Sequence, residues 1–242
     1  NAHHIPNAST RACRLVTHPP LTALTHSGAI PGGAAVRLKV VRALTIASLA
    51  VDSAGGEAFP SYKSTGISNM GSVNVTSEDG SLTMAAGRDI SLTAALVESA
   101  GSLSATAGRD LNINTVDTSL ESKVVRDSRN YGHDRNTEEV GSILYAGKDM
   151  SLQAGRDLTI KAGEVQADGN LALKAENDIS ITEGRATSFH QGETYSKKKG
   201  FLSSKSTATF EREESDVAVI SALSGNTVTL EAGNDFLLRG SE

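Results

Sequence analysis

Residues 82–92 read LTMAAGRDISL. The order is an aliphatic pair spaced by one residue, an Ala-Gly-Arg-Asp tetrad, and a second aliphatic pair. The same order returns as LSATAGRDLNI at 103–113, MSLQAGRDLTI at 150–160, LALKAENDISI at 171–181 and VTLEAGNDFLL at 228–238. In every copy the second pair starts eight residues after the first. Leu82 and Leu103 lie 21 residues apart, as do Met150 and Leu171. A fixed period of this size marks a solenoid, whose units cannot bury their apolar face alone and must stack.

Within each segment the aliphatic residues alternate: Leu82-x-Met84, Ile90-x-Leu92, Leu158-x-Ile160. Period two turns one face inward and predicts short strands. Glycine supplies backbone angles other residues avoid, and aspartate bonds to nearby backbone N–H groups. Gly87 with Asp89, Gly108 with Asp110, Gly155 with Asp157, Asp178, and Gly233 with Asp235 are therefore expected as structural corners. A third short segment (95–97, 164–166) and a further glycine (Gly80, Gly101, Gly169) complete a coil of about 21 residues. The expected fold is all-β, a right-handed parallel β-helix. A sandwich or barrel needs hairpin turns between longer strands, and no segment sustains the helical period of an α-solenoid.

Two stretches break the period. Met150 follows Leu103 by 47 residues and Val228 follows Leu171 by 57. The excess falls in two polar segments, about 118–140 and 183–216, read as excursions that are either hairpins lying along the stack or mobile loops. Each carries a tyrosine (Tyr131, Tyr195), then a charged stretch, then a Val-rich return, so coils plus excursion form a longer super-repeat. Insertions in repeat proteins often form the binding face. Candidate partner contacts are Tyr131, Tyr195, the run Lys197-Lys198-Lys199 and Phe201. That basic run suits a membrane surface or an acidic partner, although Glu211, Glu213, Glu214 and Asp216 follow closely and would neutralise it in a solvated hairpin of mixed charge.

Residues 66–242 are thus the repeat domain, and residues 1–65 read as an irregular leader, non-repeat or partly disordered. All five prolines lie in it. Residues 36–51 (VRLKVVRALTIASLAV) offer the one candidate helix, or else a strand-like cover over one end of the stack. Their basic start and short apolar run resemble a signal peptide, placed too far from the first residue. That first residue is Asn, which suits a fragment or a processed piece.

The 242 residues include 23 Gly, no Trp and 4% aromatics. Such a chain fills a narrow aliphatic core, not a wide one. The net charge is −5, and residues 66–242 are the acidic part, which disfavours nucleic acid as a partner. No run of 18 apolar residues predicts a transmembrane helix. Cys13 stands alone and excludes an intrachain disulfide framework. His3, His4, His18 and His26 have irregular spacing and no completing ligands, so no metal site is expected. No cofactor is expected either: there is no phosphate loop and no catalytic motif. One Asp per coil offers too few oxygens for calcium. No pair of carboxylates spaced for glycoside hydrolysis can be located from sequence.

The units AGRDISL, AGRDLNI, AGRDLTI, AENDISI and AGNDFLL resemble the haemagglutinin repeats of filamentous-haemagglutinin-like exoproteins. The run SKKKGFLSSKSTATFEREESDVAVISALSGNTVTLEAGNDFLL is similar to their second repeat class, found in contact-dependent growth-inhibition exoproteins. The resemblance implies a long β-helical filament, secreted to the bacterial cell surface through an outer-membrane two-partner secretion transporter. It implies adhesion to a host or neighbouring cell, and in many members delivery of a C-terminal toxin. The expected role is a structural and adhesive repeat segment without enzyme activity. The alternatives are a polysaccharide-active β-helix enzyme and a passive scaffold without a ligand.

Overall fold

The computed structural model describes residues 13–17, 35–55, 60–201 and 203–240. After an initial strand, β1 (Cys13–Thr17), the chain winds through six coils. Coil one holds β2 (Ala35–Val40) and β3 (Leu44–Ala47), leaves the stack as a hairpin of β4 (Leu49–Gly55) and β5 (Ser61–Asn69), and returns as β6 (Ser72–Val75). Coil two is β7 (Ser81–Ala86), β8 (Ile90–Thr93) and β9 (Leu96–Ser99). Coil three has β10 (Ser102–Ala107), β11 (Leu111–Asn114), a hairpin of β12 (Val116–Asp127) and β13 (Asn130–Val140), then β14 (Ile143–Ala146). Coil four is β15 (Met150–Ala154), β16 (Leu158–Lys161) and β17 (Glu164–Ala167). Coil five has β18 (Asn170–Ala175), β19 (Ile179–Thr182), a hairpin of β20 (Gly184–Lys199) and β21 (Ser204–Val219), then β22 (Ala222–Ser224). Coil six contributes β23 (Thr227–Ala232) and β24 (Phe236–Leu238).

Three parallel sheets run up the stack, one strand per coil in each. The first holds β1-β2-β7-β10-β15-β18-β23, the second β3-β8-β11-β16-β19-β24, the third β6-β9-β14-β17-β22. This is the parallel β-helix that the alternation and corners predict. Like residues stack on like: Leu82, Leu103, Met150, Leu171 and Val228 are register partners in turn. The interior is a dry aliphatic column in which Leu82, Met84, Ile90, Leu92, Leu111, Ile113, Leu158 and Ile160 are completely buried. Burying each such side chain is worth roughly 1.5–3 kcal/mol.

The corners explain the recurring glycine. A Cβ on Gly108 would lie 2.3 Å from the carbonyl oxygen of Gly87 one coil below, and a Cβ on Gly155 2.4 Å from that of Gly108. The constraint is the close approach of stacked backbones. The corner keeps the ladder going through it: the N–H of Gly108 donates to Ala86 O at 2.9 Å and that of Arg109 to Arg88 O at 2.7 Å. Coil five places Glu176 at this position instead of glycine, so the corner can yield locally.

The 36–51 stretch is not a helix. Val36, Leu38, Leu44 and Ile46 are buried at period two in β2 and β3, which pair with β7 and β8 of the next coil. The boundary expected between residues 65 and 66 falls inside β5, and residues 35–55 already belong to coil one. This coil escaped the motif because its corner is Val41-Arg42-Ala43, with neither glycine nor aspartate. The four leader histidines lie outside the described residues.

Both polar excursions are hairpins, and there is a third, β4–β5, which starts in the stretch read as leader and ends beyond it. All six hairpin strands form a fourth sheet, β4-β5-β12-β13-β20-β21, antiparallel throughout. The hairpins leave coils one, three and five at one station, between the second and third strands. Coils two and four cross that station with short links at Ala94-Ala95 and Ala162-Gly163. The alternation follows from strand spacing. Neighbouring strands sit about 4.8 Å apart, so two coils rise about 9.6 Å, which is the width of a two-stranded hairpin. A hairpin on every second coil lets the lateral sheet keep the pitch of the stack.

Candidate functional site: the lateral hairpin sheet

The lateral sheet, or fin, has no second layer among the described residues. β21 is exposed along its whole length except at Val219, and Leu120, Val124, Phe210 and Val217 stand in solvent. The hairpins lengthen up the stack, from 7 residues in β4 to 12 in β12 and 16 in β20.

Buried serines fasten the hairpin necks. Ser142 and Ser221, each completely buried, follow hairpins two and three. Ser142 Oγ accepts the Ala95 N–H at 3.0 Å and donates to Asn114 O at 3.2 Å. Ser221 Oγ accepts the Gly163 N–H at 3.2 Å and donates to Thr182 O at 2.7 Å. Each hydroxyl thus joins the strand entering a hairpin to the short link of the coil below. In coil one, Ser48 Oγ donates to Ala94 O and accepts the Gly71 N–H. The short links need this support, since Ala94 and Ala162 hold φ of 44° and 45°, a region costly for any residue with a Cβ. Glu139 is a second fastener. It pairs with Lys161 of coil four and accepts the Arg185 N–H of hairpin three at 2.8 Å. Sequence reasoning missed these residues; the only trace is a serine one or two residues after each Val-rich return.

Side-chain bonds concentrate on the seam between hairpins two and three. His190 Nδ1 bonds to Asp134 at 2.5 Å and Thr137 to Thr187 at 2.5 Å. His133 meets the Phe189 ring edge-on at 5.3 Å between centroids and bonds to Glu121 at 2.9 Å. Lys123 sits 2.7 Å from the same Glu121. Hydrogen bonds from Lys123 and His133 hold the Glu121 carboxyl below its usual value. The hydrogen bond to Asp134 raises His190, with Glu213 and Glu211 adding to the effect. Arg185 grips Asp216 across hairpin three and holds that carboxyl down. At the foot of the fin a hollow of about 590 Å³ opens toward the stack, where Glu139 and Glu183 already bond to Lys161 and Arg239.

The corner residues lie between the first and second strands of their coils. They form a ladder along the stack. Arg109 makes a two-pronged bond to Asp89 at 2.8 and 2.7 Å, Arg156 reaches Asp110 at 2.8 Å, and Asn177 donates to Asp157 at 2.8 Å. Asn234 and the Asp235 N–H both reach Asp178. Burial pushes Asp89 up, but the Arg109 and Asp110 hydrogen bonds prevail and leave it below the usual value. The Asn177 bond lowers Asp157. With cations and amides on these carboxylates, the ladder is geared to stacking.

Of the candidate contact residues, Tyr131 and Tyr195 come together at the end of the seam. Gln191 Nε2 donates to the Tyr131 hydroxyl at 3.3 Å, Arg129 covers the Tyr195 ring at 3.8 Å, and the Tyr195 N–H donates to Asn130 at 2.8 Å. Lys197, Lys198, Lys199 and Phe201 lie beyond, where β20 has left β13 behind and pairs only with β21. The expected neutralisation does not occur there. Glu211, Glu213, Glu214 and Asp216 sit in the lower part of β21, opposite Gly192, His190, Phe189 and Thr187.

Residues 124–242 match the hemagglutinin repeat family. The chain is 35% identical over 163 residues to a deoxyribonuclease CdiA of Dickeya dadantii strain 3937, covering 67% of this chain and 5% of that protein. It is 36% identical over 78 residues to a tRNA nuclease CdiA of Escherichia coli strain STEC_O31, covering 32% of this chain and 2% of that protein. A tRNA nuclease CdiA of Yersinia mollaretii is 34% identical over 77 residues, 32% of this chain and 3% of that protein. The chain therefore spans only a few per cent of the length of these relatives. No solved structure matches it.

Proposed function

We propose, for a chain whose residues 124–242 are a hemagglutinin repeat region like that of CdiA exoproteins, that the stack is a shaft segment and the fin its contact surface. The parent is a large secreted bacterial exoprotein, an adhesin or toxin-delivery filament. It leaves the cell by two-partner secretion through an outer-membrane transporter and meets a host or neighbouring cell. Nuclease activity belongs to the named relatives as whole proteins; this segment carries and presents.

The observation that supports the reading best is the regular return of a solvated hairpin on every second coil. A rigid stack that repeats an exposed, bondable sheet along one side is a scaffold for surface contact. Hydrolysis of polysaccharide is the weaker reading, because Asp89, Asp110 and Asp157 at the corners and Glu139 and Glu183 in the basal hollow are held by arginine, lysine or asparagine.

The test replaces hairpins two and three in the parent protein with the short link seen in coils two and four. Circular dichroism of the isolated chain should still report a β-rich fold, and binding of cells to the parent should fall. Undiminished cell binding with both hairpins gone would exclude the fin as the contact surface.

A further inference from the structure

The end of hairpin three follows different rules from the rest of the fin. The seam with hairpin two stops at Tyr131 opposite Glu193. From Ser196 opposite Thr207 to Lys199 opposite Ser204, the ribbon has only itself. At about 3.4 Å per residue it stands roughly 15 Å proud of its neighbour. Between Thr194 and Phe210 the sequence holds four lysines and no carboxylate. Glu193 and Glu211, the nearest acids along the strands, lie four or more residues from any of them. Lys197 and Lys199 share one face; Lys198 lies directly opposite Lys205 on the other. Like charges opposite one another destabilise a strand pair, and these four lysines have no ion pair among the described residues. Phe201, in the turn, is completely exposed.

We propose that this prong is a membrane-contact element, with Phe201 entering the interface of a bilayer and Lys197, Lys198, Lys199 and Lys205 binding its anionic headgroups. A protein partner would be met by one face of the ribbon. Here cations project from both faces just behind an apolar turn, which is the arrangement of an interfacial anchor whose charges stay at headgroup level. Headgroup phosphates relieve the Lys198–Lys205 repulsion that nothing among the described residues offsets. A single prong is a weak anchor, and its strength comes from repetition along a filament or from a parallel adhesive contact. The proposal goes beyond the contact role of the fin and stands even if cells bind elsewhere.

The test uses the purified chain and vesicles. Phe201→Trp introduces the protein's only indole, since the sequence has no tryptophan. Mixed phosphatidylglycerol–phosphatidylcholine vesicles should sediment the protein and shift the indole emission to the blue; pure phosphatidylcholine should do neither. Each Lys→Gln change should weaken binding about fivefold, the quadruple variant should not sediment, and added salt should mimic it. The lysines lie outside the core, so an unchanged circular dichroism spectrum certifies the variants. Three results would overturn the proposal: no sedimentation with anionic vesicles, sedimentation that survives the quadruple change, or sedimentation without a blue shift. Retention on immobilised heparin with no vesicle binding would point instead to a soluble polyanion and overturn it too.

Discussion

Leu111 in coil three and Leu120 in the adjoining hairpin are nine residues apart and live in opposite worlds. Leu111 is completely buried in a column of aliphatic side chains, while Leu120 is half exposed on a sheet that no second layer covers among the described residues. The two sheets share a vertical pitch, because a hairpin on every second coil is as wide as two coils are tall. They do not share a source of stability. The stack is held by burial and by ladders of like residues. The fin is held by backbone pairing, cross-strand side-chain bonds and its necks. The stack constrains sequence tightly, and the fin leaves its faces free for contact.

The largest expected effect follows from that contrast. Leu111→Ala should lower the unfolding free energy by about 2–5 kcal/mol through lost burial and the cavity left behind. Leu120→Ala should change it by less than about 0.5 kcal/mol. Urea denaturation of both variants measures the difference, and equal losses would mean that the fin carries a core of its own.

Glycines sharpen the same comparison. Gly108→Ala drives a methyl group against the Gly87 carbonyl and should cost about 1–3 kcal/mol, as overpacking does; the Glu176 corner shows that part of this clash can relax. Gly132 in β13 has open space around a new Cβ. Gly132→Ala should therefore be neutral or slightly stabilising, because it reduces the freedom of the unfolded chain. Thermal midpoints of the pair would separate a stacking glycine from a permissive one.

The stack was largely legible in the sequence because its constraints recur with the period. Alternating aliphatics and the Gly-Arg-Asp corner each report a contact with the coil above or below. Coil one was illegible where that contact chemistry is absent: Val41-Arg42-Ala43 turns the same corner without the glycine or the aspartate. The first hairpin was hidden because β4 and the start of β5 fall in the stretch read as an irregular leader. The fin was legible only as an interruption. Its pairings join residues such as Asp134 and His190, 56 positions apart, and nothing periodic links them. The prong was visible as a lysine run, but strand register decided that the following acids lie lower on the ribbon.

Between stack and fin stand the necks, where an intermediate effect is expected. Ser221→Ala leaves the Gly163 N–H without its partner at a buried site and removes one of two hydrogen bonds to the Thr182 carbonyl, which keeps the Ala162 N–H; the loss should cost about 1–3 kcal/mol. Amide exchange should quicken first at Gly163 and in β20. A uniform change across all coils would instead place Ser221 within the cooperative unit of the stack.

The smallest effect separates the two regions by pH. His190 is raised above 6.5 by its bond to Asp134, so the charged pair contributes stability that is fully present below 6.5 and is lost as pH rises through the raised folded value. The corner carboxylates Asp89 and Asp157 are lowered from 3.8, so their contribution is present above that value and is lost as pH falls through the depressed one. The windows do not overlap. Raising the pH through the raised His190 value should loosen the β13–β20 seam and leave the corners unchanged, while acid should weaken the corners first among these groups. Because His190 is partly exposed, solvent screens the pair and the shift in global stability is small. A proton NMR titration of His190 is the sensitive readout. Asp134→Asn should return its midpoint toward 6.5 and remove the pH dependence of amide exchange along the seam. A midpoint unmoved by that change would assign the elevation to Glu211 and Glu213 on β21, inside hairpin three, and the seam would then have no pH-dependent bond between its two hairpins.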